Sequence, residues 1–487
     1  MNTLAKIRGI ILCGLFILLF SFIYAADTGY KISVKLSNSN DTALLLAHYY
    51  GNKQYLDDTA FRSKQGVFIF QGTKKLKEGM YIVAGQNKSK YFDFFMTGSQ
   101  QFEFSCDPLH IMQTMQLKGS QDNKLFYEYI GFLSRKQSEI EPLGKWLKAH
   151  ANRTDSASLI RKKIENIDAE VKSYISGYYK NHNGLLSAAF IKAGNEPDYL
   201  SFCKKPDGNI DSSRVYQAYK AHYFDNFTFS DPRLIYTPVF SQKIDYFFDK
   251  VAVPMVDSLK KEIDALMVAA SVNKEMQSFL GWYLSLKFET SEIMGQDALF
   301  VYLVRNYLEN DKVPWQFPDV KPNVLKRVNM LEPLLIGKVA PNLILLDTNN
   351  MVHSLSNTVA HYTLLFFWES ICSHCQQEMP KVIKFYNEFH MKYDLEIFAV
   401  STDTSLVKWK EFIRKNNMEW INVNGHLSIS GNYHTLYDIR STPIMYLLDE
   451  DKKIIAKFLL TDDLANLIRR REENKLTSPA NQNLKNE

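Results

Sequence analysis

The stretch Thr363-Leu364-Leu365-Phe366-Phe367-Trp368-Glu369-Ser370-Ile371-Cys372-Ser373-His374-Cys375-Gln376-Gln377-Glu378-Met379-Pro380 decides how the C-terminal third of the chain folds. Thr363–Trp368 is an apolar run of strand length. Beyond it the period changes: Met379, Val382, Ile383, Tyr386 and Phe389 recur at helical spacing, so Cys375–His390 is expected to be an amphipathic helix lying on the strand. Cys372 and Cys375 stand at the junction, where the helix begins. Free backbone N–H groups and the positive end of the helix dipole stabilise a thiolate there. The thiolate is the nucleophile of sulfur chemistry, which makes Cys372 the candidate attacking group. Cys375, one turn inward, is placed to resolve a mixed disulfide. A structural zinc needs four ligands, and no second C-x-x-C exists; Cys106 and Cys203 are isolated in other regions. An inert structural disulfide is a poorer reading, because so short a loop gains little chain-entropy stabilisation.

Outward from this junction the alternation continues. Leu395–Ser401 reads as a strand and Leu406–Lys415 as a helix. Ile444–Leu448 and Ile454–Leu459 read as adjacent strands joined by Asp449–Lys453, and a final helix starts near Asp462. A βαβ unit followed by a hairpin and helix predicts an α/β domain whose sheet is covered on both faces.

The rest of the 487 residues is organised differently, and the length alone suggests about three domains. Residues 1–25 read as a secretory signal: Lys6 and Arg8 precede the apolar run Ile10–Ile23, and Ile23-Tyr24-Ala25 offers a small residue for cleavage. That run is shorter than the ~20 residues a spanning helix needs; left uncleaved, it would be a membrane anchor. Leu12 stands where lipoprotein processing at Cys13 would need a small residue. Residues 27–115 read as a β-rich, sandwich-like domain: Ile32, Val34 and Leu36 alternate, followed by the short runs Val67–Phe70, Met80–Ala84, Phe92–Met96 and Phe102–Phe104 between glycines. Residues 119–333 read as an α-helical domain, with stripes at Phe126, Ile130, Leu133 and Ile140, at Ile160, Ile164, Ile167, Val171 and Ile175, and at Ile244, Phe247, Phe248 and Val251. Such stripes normally form core. A loop is expected around Glu196–Asp211, the α/β domain over 337–473, and a disordered polar tail over 474–487.

Removal of Lys6 and Arg8 with the signal lowers the net charge from +5 to +3. A nucleic-acid partner would need a clustered basic face, and Arg469-Arg470-Arg471 is followed at once by Glu472 and Glu473. Nucleic-acid binding is therefore not expected.

From Gly337 to about Arg471 the chain resembles the TlpA/ResA-like thioredoxin-fold thiol–disulfide oxidoreductases. The resemblance rests on Gly337-Lys338-Val339-Ala340-Pro341, Phe366-Phe367-Trp368, the C-x-x-C-x-x-E-x-P pattern from Cys372 to Pro380, Val400-Ser401-Thr402-Asp403 and Ser441-Thr442-Pro443. The upstream β and helical regions resemble poorly characterised domains that precede such modules in Gram-negative envelope proteins. The resemblance implies that Cys372 attacks, that Cys375 resolves, and that Pro443 is a cis-proline facing them. Thr442 would then present backbone groups to an extended substrate segment, with Ser373, His374 and Trp368 at the same substrate-facing site. Glu378 corresponds to an acid near the cysteines that would relay a proton to or from Cys375; a solvated helix carboxylate is the alternative. Two departures stand out. Ile371 replaces the aromatic that commonly precedes the first cysteine, and Phe366 occupies the place, six residues before Cys372, where thioredoxins keep a buried aspartate.

These features imply an exported, periplasmic enzyme with protein thiols and disulfides of the envelope as substrates. It would need no organic cofactor beyond the Cys372–Cys375 redox pair, no metal, and a membrane redox partner for recycling. The family implies a reductant, whereas a charged His374 would stabilise the thiolate and push toward a more oxidising protein. The competing reading is an envelope binding or assembly protein that uses the thioredoxin fold as a scaffold. A peroxidase fits less well, because its reactive cysteine sits in a different local setting.

Overall fold

The computed structural model describes residues 29–150 and 154–477. The signal segment 1–25, with Cys13, and residues 478–487 lie outside the described residues. The described chain consists of N-terminal β-sheets, a central helical region and a C-terminal α/β domain.

The N-terminal strands are β1 (Tyr30–Leu36), β2 (Ala43–Tyr50), β3 (Lys53–Phe61), β4 (Val67–Gly72), β5 (Gly79–Gly85), β6 (Lys90–Met96), β7 (Gln101–Cys106) and β8 (Gln116–Lys118). They form two four-stranded sheets, ordered β4-β1-β7-β8 and β3-β2-β5-β6. Alternation in β1 buries Ile32, Val34 and Leu36 in one core with Phe68, Phe70 and Phe104, and with Leu44, Leu46, Val83 and Phe94 of the other sheet. That shared core makes the pair a sandwich. The hairpin β2–β3 departs from the sequence pattern. Ala43-Leu44-Leu45-Leu46 does not alternate because β2 lies inside its sheet with both faces at least partly covered, and β3 is a polar, largely exposed edge strand. Gly51, at φ 59°, makes the turn between them.

Two long helices, Gln121–Ala149 and Thr154–Asn181, form a hairpin. The Ser120 hydroxyl caps the first by accepting the Asn123 N–H at 3.2 Å. The buried Asp122 carboxylate accepts the N–H groups of Leu186 and Ser187, both at 3.1 Å, at the start of helix Leu186–Gly194. Phe132 stacks on Tyr174 with centroids 3.9 Å apart. The stripes expected to be core are only half-buried here: Ile130, Leu133 and Ile140 on one helix, and Ile164, Ile167 and Val171 on the other. Two helices alone cannot enclose their seam, which explains the difference.

The chain divides into two compact units, one comprising residues up to Pro254 with Val268–Met276, the other Met255–Met267 with Gln277 onward. The helical stretch 119–333 is thus shared between them.

In the second unit, β9 (Ile344–Asp347), β10 (Val352–Ser354), β11 (Tyr362–Trp368), β12 (Leu395–Ser401), β13 (Ile421–Ser428), β14 (Ile444–Leu448) and β15 (Ile454–Lys457) form a seven-stranded sheet ordered β10-β9-β13-β12-β11-β14-β15. β11, β12 and β13 run parallel, β14 pairs antiparallel with β11, and β15 pairs antiparallel with β14. Every residue of β11 is buried. Tyr362, Leu364, Phe366 and Trp368 enter one core with Val382, Phe389, Trp409 and Ile468 of the helices Ser373–Tyr393, Leu406–Lys415 and Thr461–Thr477. Leu365 and Phe367 enter the opposite core with Leu334, Leu343, Tyr433 and Tyr437. Both faces are covered. The last helix runs to Thr477, so 474–477 are helical rather than part of a tail; Asn474 and Lys475 simply continue its solvent-facing side.

Lys457, at the end of β15, is 1% exposed and is held by the Asp297 carboxylate and, at 2.6 Å, by the Leu334 carbonyl. Burial depresses its pKa although Asp297 opposes the shift. Removing one partner of a buried pair leaves an uncompensated charge, at a cost of about 3 kcal/mol. Asp297→Ala should therefore lower the urea midpoint of this unit markedly, and Lys457→Met, which fills the space with apolar volume, should cost less.

Candidate active site

The chain leaves β11 at Trp368 and enters helix Ser373–Tyr393 four residues later, with Cys372 as the N-cap. The Cys372 sulfur accepts the Cys375 N–H at 3.4 Å and its thiol donates to the Thr442 carbonyl at 3.3 Å. The Thr442–Pro443 peptide is cis. Cys372 is partly exposed and Cys375 fully buried, and both are free thiols.

Their environments push the two sulfurs apart in acidity. Partial burial alone would raise Cys372, but hydrogen bonds from the Cys375 thiol and N–H, the Thr442 side chain and the His374 N–H outweigh it and lower the pKa. Cys375 goes the other way: burial pushes its thiol up to about 12. The site thus holds one accessible sulfur favouring the thiolate and one enclosed sulfur favouring the thiol.

The other expected residues are distributed unequally. Ser373 and His374 lie exposed on the first turn, beside Ile371, which is 65% exposed. Thr442 and Pro443 are half-buried, and Thr442 meets Cys372 through its carbonyl. Trp368 is different: it is 0% exposed, with its ring packed against Phe412 at 5.1 Å. As the last inward-facing residue of β11 it belongs to the core and does not present itself to a substrate. Glu378 is buried, its Oε1 accepting the Thr461 N–H at 3.0 Å and its Oε2 facing the Lys381 ammonium at 3.2 Å. Neither oxygen bonds a cysteine. Cys106 and Cys203 are buried and unpaired.

A second carboxylate near the cysteines went unassigned in the sequence. Asp403, 3% exposed, follows β12; its Oδ2 accepts the Ser370 N–H at 2.9 Å and the Ser401 hydroxyl at 2.8 Å, and its Oδ1 accepts the Ser370 hydroxyl at 2.6 Å. The Ser370 carbonyl in turn accepts the Gln376 amide at 2.8 Å. Only the Val400-Ser401-Thr402-Asp403 motif signalled it, without showing that Ser370 lies opposite.

Sheet order, the cysteine pair at a helix start and the cis-proline opposite it define a thioredoxin-like domain of the thiol–disulfide oxidoreductase class. By sequence, residues 336–471 match the AhpC/TSA family, and the C-terminal domain belongs to it. Upstream, residues 30–126 and 210–322 match two domains of unknown function (DUF4369 and DUF5106). The thiol-disulfide oxidoreductase ResA of Bacillus cereus is 27% identical over 132 residues, covering 26% of this chain and 72% of that protein. Among solved structures, a domain of a possible thiol-disulfide isomerase from Cytophaga hutchinsonii is 36% identical, covering 30% of this chain and 99% of that one at a TM-score of 0.28. A thioredoxin-like protein from Bacteroides caccae is 19% identical, covering 54% and 96% at a TM-score of 0.44.

The acidity difference has a direct consequence. Iodoacetamide at pH 7 should label Cys372 well before Cys375, with a rate that rises through an apparent pKa below that of an ordinary thiol. Peptide mass mapping against pH checks this, and faster labelling of Cys375 would contradict the assignment.

Proposed function

We propose that the protein is an exported thiol–disulfide oxidoreductase that exchanges disulfides with envelope proteins through Cys372 and Cys375. The observation that carries this is the placement of the Cys372 sulfur on the first-turn N–H groups and against Thr442, with Cys375 enclosed one turn inward.

The Cys372 thiolate attacks one sulfur of a substrate disulfide. The substrate S–S bond breaks, one substrate sulfur leaves as a thiolate that takes up a proton, and a mixed disulfide to Cys372 forms. Cys375 then loses its proton and attacks the Cys372 sulfur, which releases the second substrate thiol and closes the Cys372–Cys375 disulfide. The substrate gains two electrons and the pair loses two; a membrane redox partner returns them. Thr442 and Pro443 support an extended substrate segment beside Cys372, with Ser373 and His374 flanking it. Glu378 enters as a proton relay for Cys375 only through water, because Thr461 and Lys381 engage its oxygens directly. The redox pair itself suffices, without an organic cofactor. Export rests on the N-terminal segment; among the described residues no helix is long and apolar enough to cross a membrane.

Cys375→Ser should accumulate mixed disulfides through Cys372, visible as reducible adducts on non-reducing gels, and Cys372→Ser should form none and should not reduce insulin. A scaffold would give no adduct with either variant. For the reducing direction, the equilibrium potential of the pair should fall near −270 mV; a value near −120 mV would reverse it.

A further inference from the structure

The loop that delivers Cys372 to the helix is short, and its backbone is tied down at Ser370. Ser370 has all three of its polar groups engaged: N–H and hydroxyl by Asp403, carbonyl by Gln376. The Cys372 N–H adds a bond to the Glu369 carbonyl at 3.3 Å. Asp403 is itself fixed from three parallel strands. Its N–H donates to the Ser401 hydroxyl at 3.1 Å, its carbonyl accepts the buried Asn424 amide of β13 at 3.0 Å, and the neighbouring Thr402 N–H donates to the Trp368 carbonyl of β11 at 2.8 Å. No cation pairs with the Asp403 carboxylate among the described residues. Three donors on two oxygens offset the desolvation of that charge instead, and two of the three come from the residue two positions before the attacking cysteine.

We propose that Asp403 is a positioning residue of the exchange site: its carboxylate clamps Ser370, and thereby holds Cys372 at the N-cap, over the Cys375 N–H and against Thr442. This role rests on the exchange function proposed above but is carried by geometry of its own. Without the clamp, the buried Ser370 N–H and hydroxyl lose their acceptors and Glu369–Cys372 must rearrange to satisfy them. The sulfur then leaves the hydrogen bonds that favour its thiolate.

The carboxamide of Asp403→Asn can keep the clamp. Its oxygen accepts from the Ser370 N–H and the Ser401 hydroxyl, and its NH2 donates to the Ser370 oxygen, which serves as donor or acceptor. Asp403→Ala cannot. In the full chain, iodoacetamide labelling of Cys372 at pH 7 should fall about tenfold in Asp403→Ala, with the apparent Cys372 pKa up by about one unit, while Asp403→Asn stays within about twofold of wild type. Should Asp403→Ala fail to fold by circular dichroism, Ser370→Ala decides, with a shift of the same sign and smaller size. Unchanged labelling in a folded Asp403→Ala, or in Ser370→Ala, overturns the proposal. A shift in Asp403→Asn as large as in Asp403→Ala also overturns it, because charge rather than position would then be acting. Labelling needs no substrate turnover, so a wild-type chain that fails to reduce insulin counts against the exchange function alone.

Discussion

A helix start must satisfy N–H groups that have no partner within the helix, and the C-terminal domain is arranged around one such start. Ser405 does this conventionally for helix Leu406–Lys415, its hydroxyl accepting the Lys408 N–H at 3.4 Å. Cys372 occupies the equivalent position in helix Ser373–Tyr393, its sulfur accepting the Cys375 N–H at the same 3.4 Å. A neutral thiol is a weak acceptor and a thiolate a strong one, so a cap made of sulfur is a cap that favours ionisation. Fold stability and reactivity therefore draw on the same hydrogen bond.

The sheet explains why this helix start is where it is. β11, β12 and β13 are parallel, so their C-terminal ends lie along one edge, and β11 and β12 both lead there into helices. β11 is anchored from both faces: Phe366 and Trp368 on one side and Phe367 on the other are wholly buried, at roughly 1.5–3 kcal/mol of apolar burial for each side chain. A strand fixed on both faces cannot shift register without turning its side chains into the wrong core. The four residues from Glu369 to Cys372 start from that fixed point, and the antiparallel β14 brings Thr442 and Pro443 to the same edge from the other side.

Elements whose own residues carry their periodicity were legible in the sequence. β12, β14, helix Leu406–Lys415 and the start of the last helix fall within a residue of the pattern. β2 and β13 were not legible, for opposite reasons. β2 is too uniformly apolar to alternate, whereas β13, Ile421–Ser428, carries Asn422 and Asn424, whose buried amides bond backbone carbonyls inside the protein, and Gly425, where a side chain would strike the Tyr433 ring. Polar residues of that kind look like loop until their partners are known. Trp368 misled in a related way: the resemblance placed it at the substrate-facing site, but β11 is covered on both faces, and its side chain lies in the helix-side core.

The two buried acids show where local spacing stops being informative. The family resemblance placed Glu378 beside the cysteines; yet its carboxylate holds the Thr461 N–H at the start of the last helix and the Lys381 ammonium. Asp403 lies 25 residues further along, just beyond the end of β12, and its carboxylate holds the residue two before Cys372. Sequence distance along a helix identifies neighbours only on that helix, whereas the ends of adjacent parallel strands meet whatever the chain length between them. The register Trp368↔Ser401 is what brings Ser370 opposite Asp403, so strand pairing, more than motif spacing, determines which acid touches the cysteine loop.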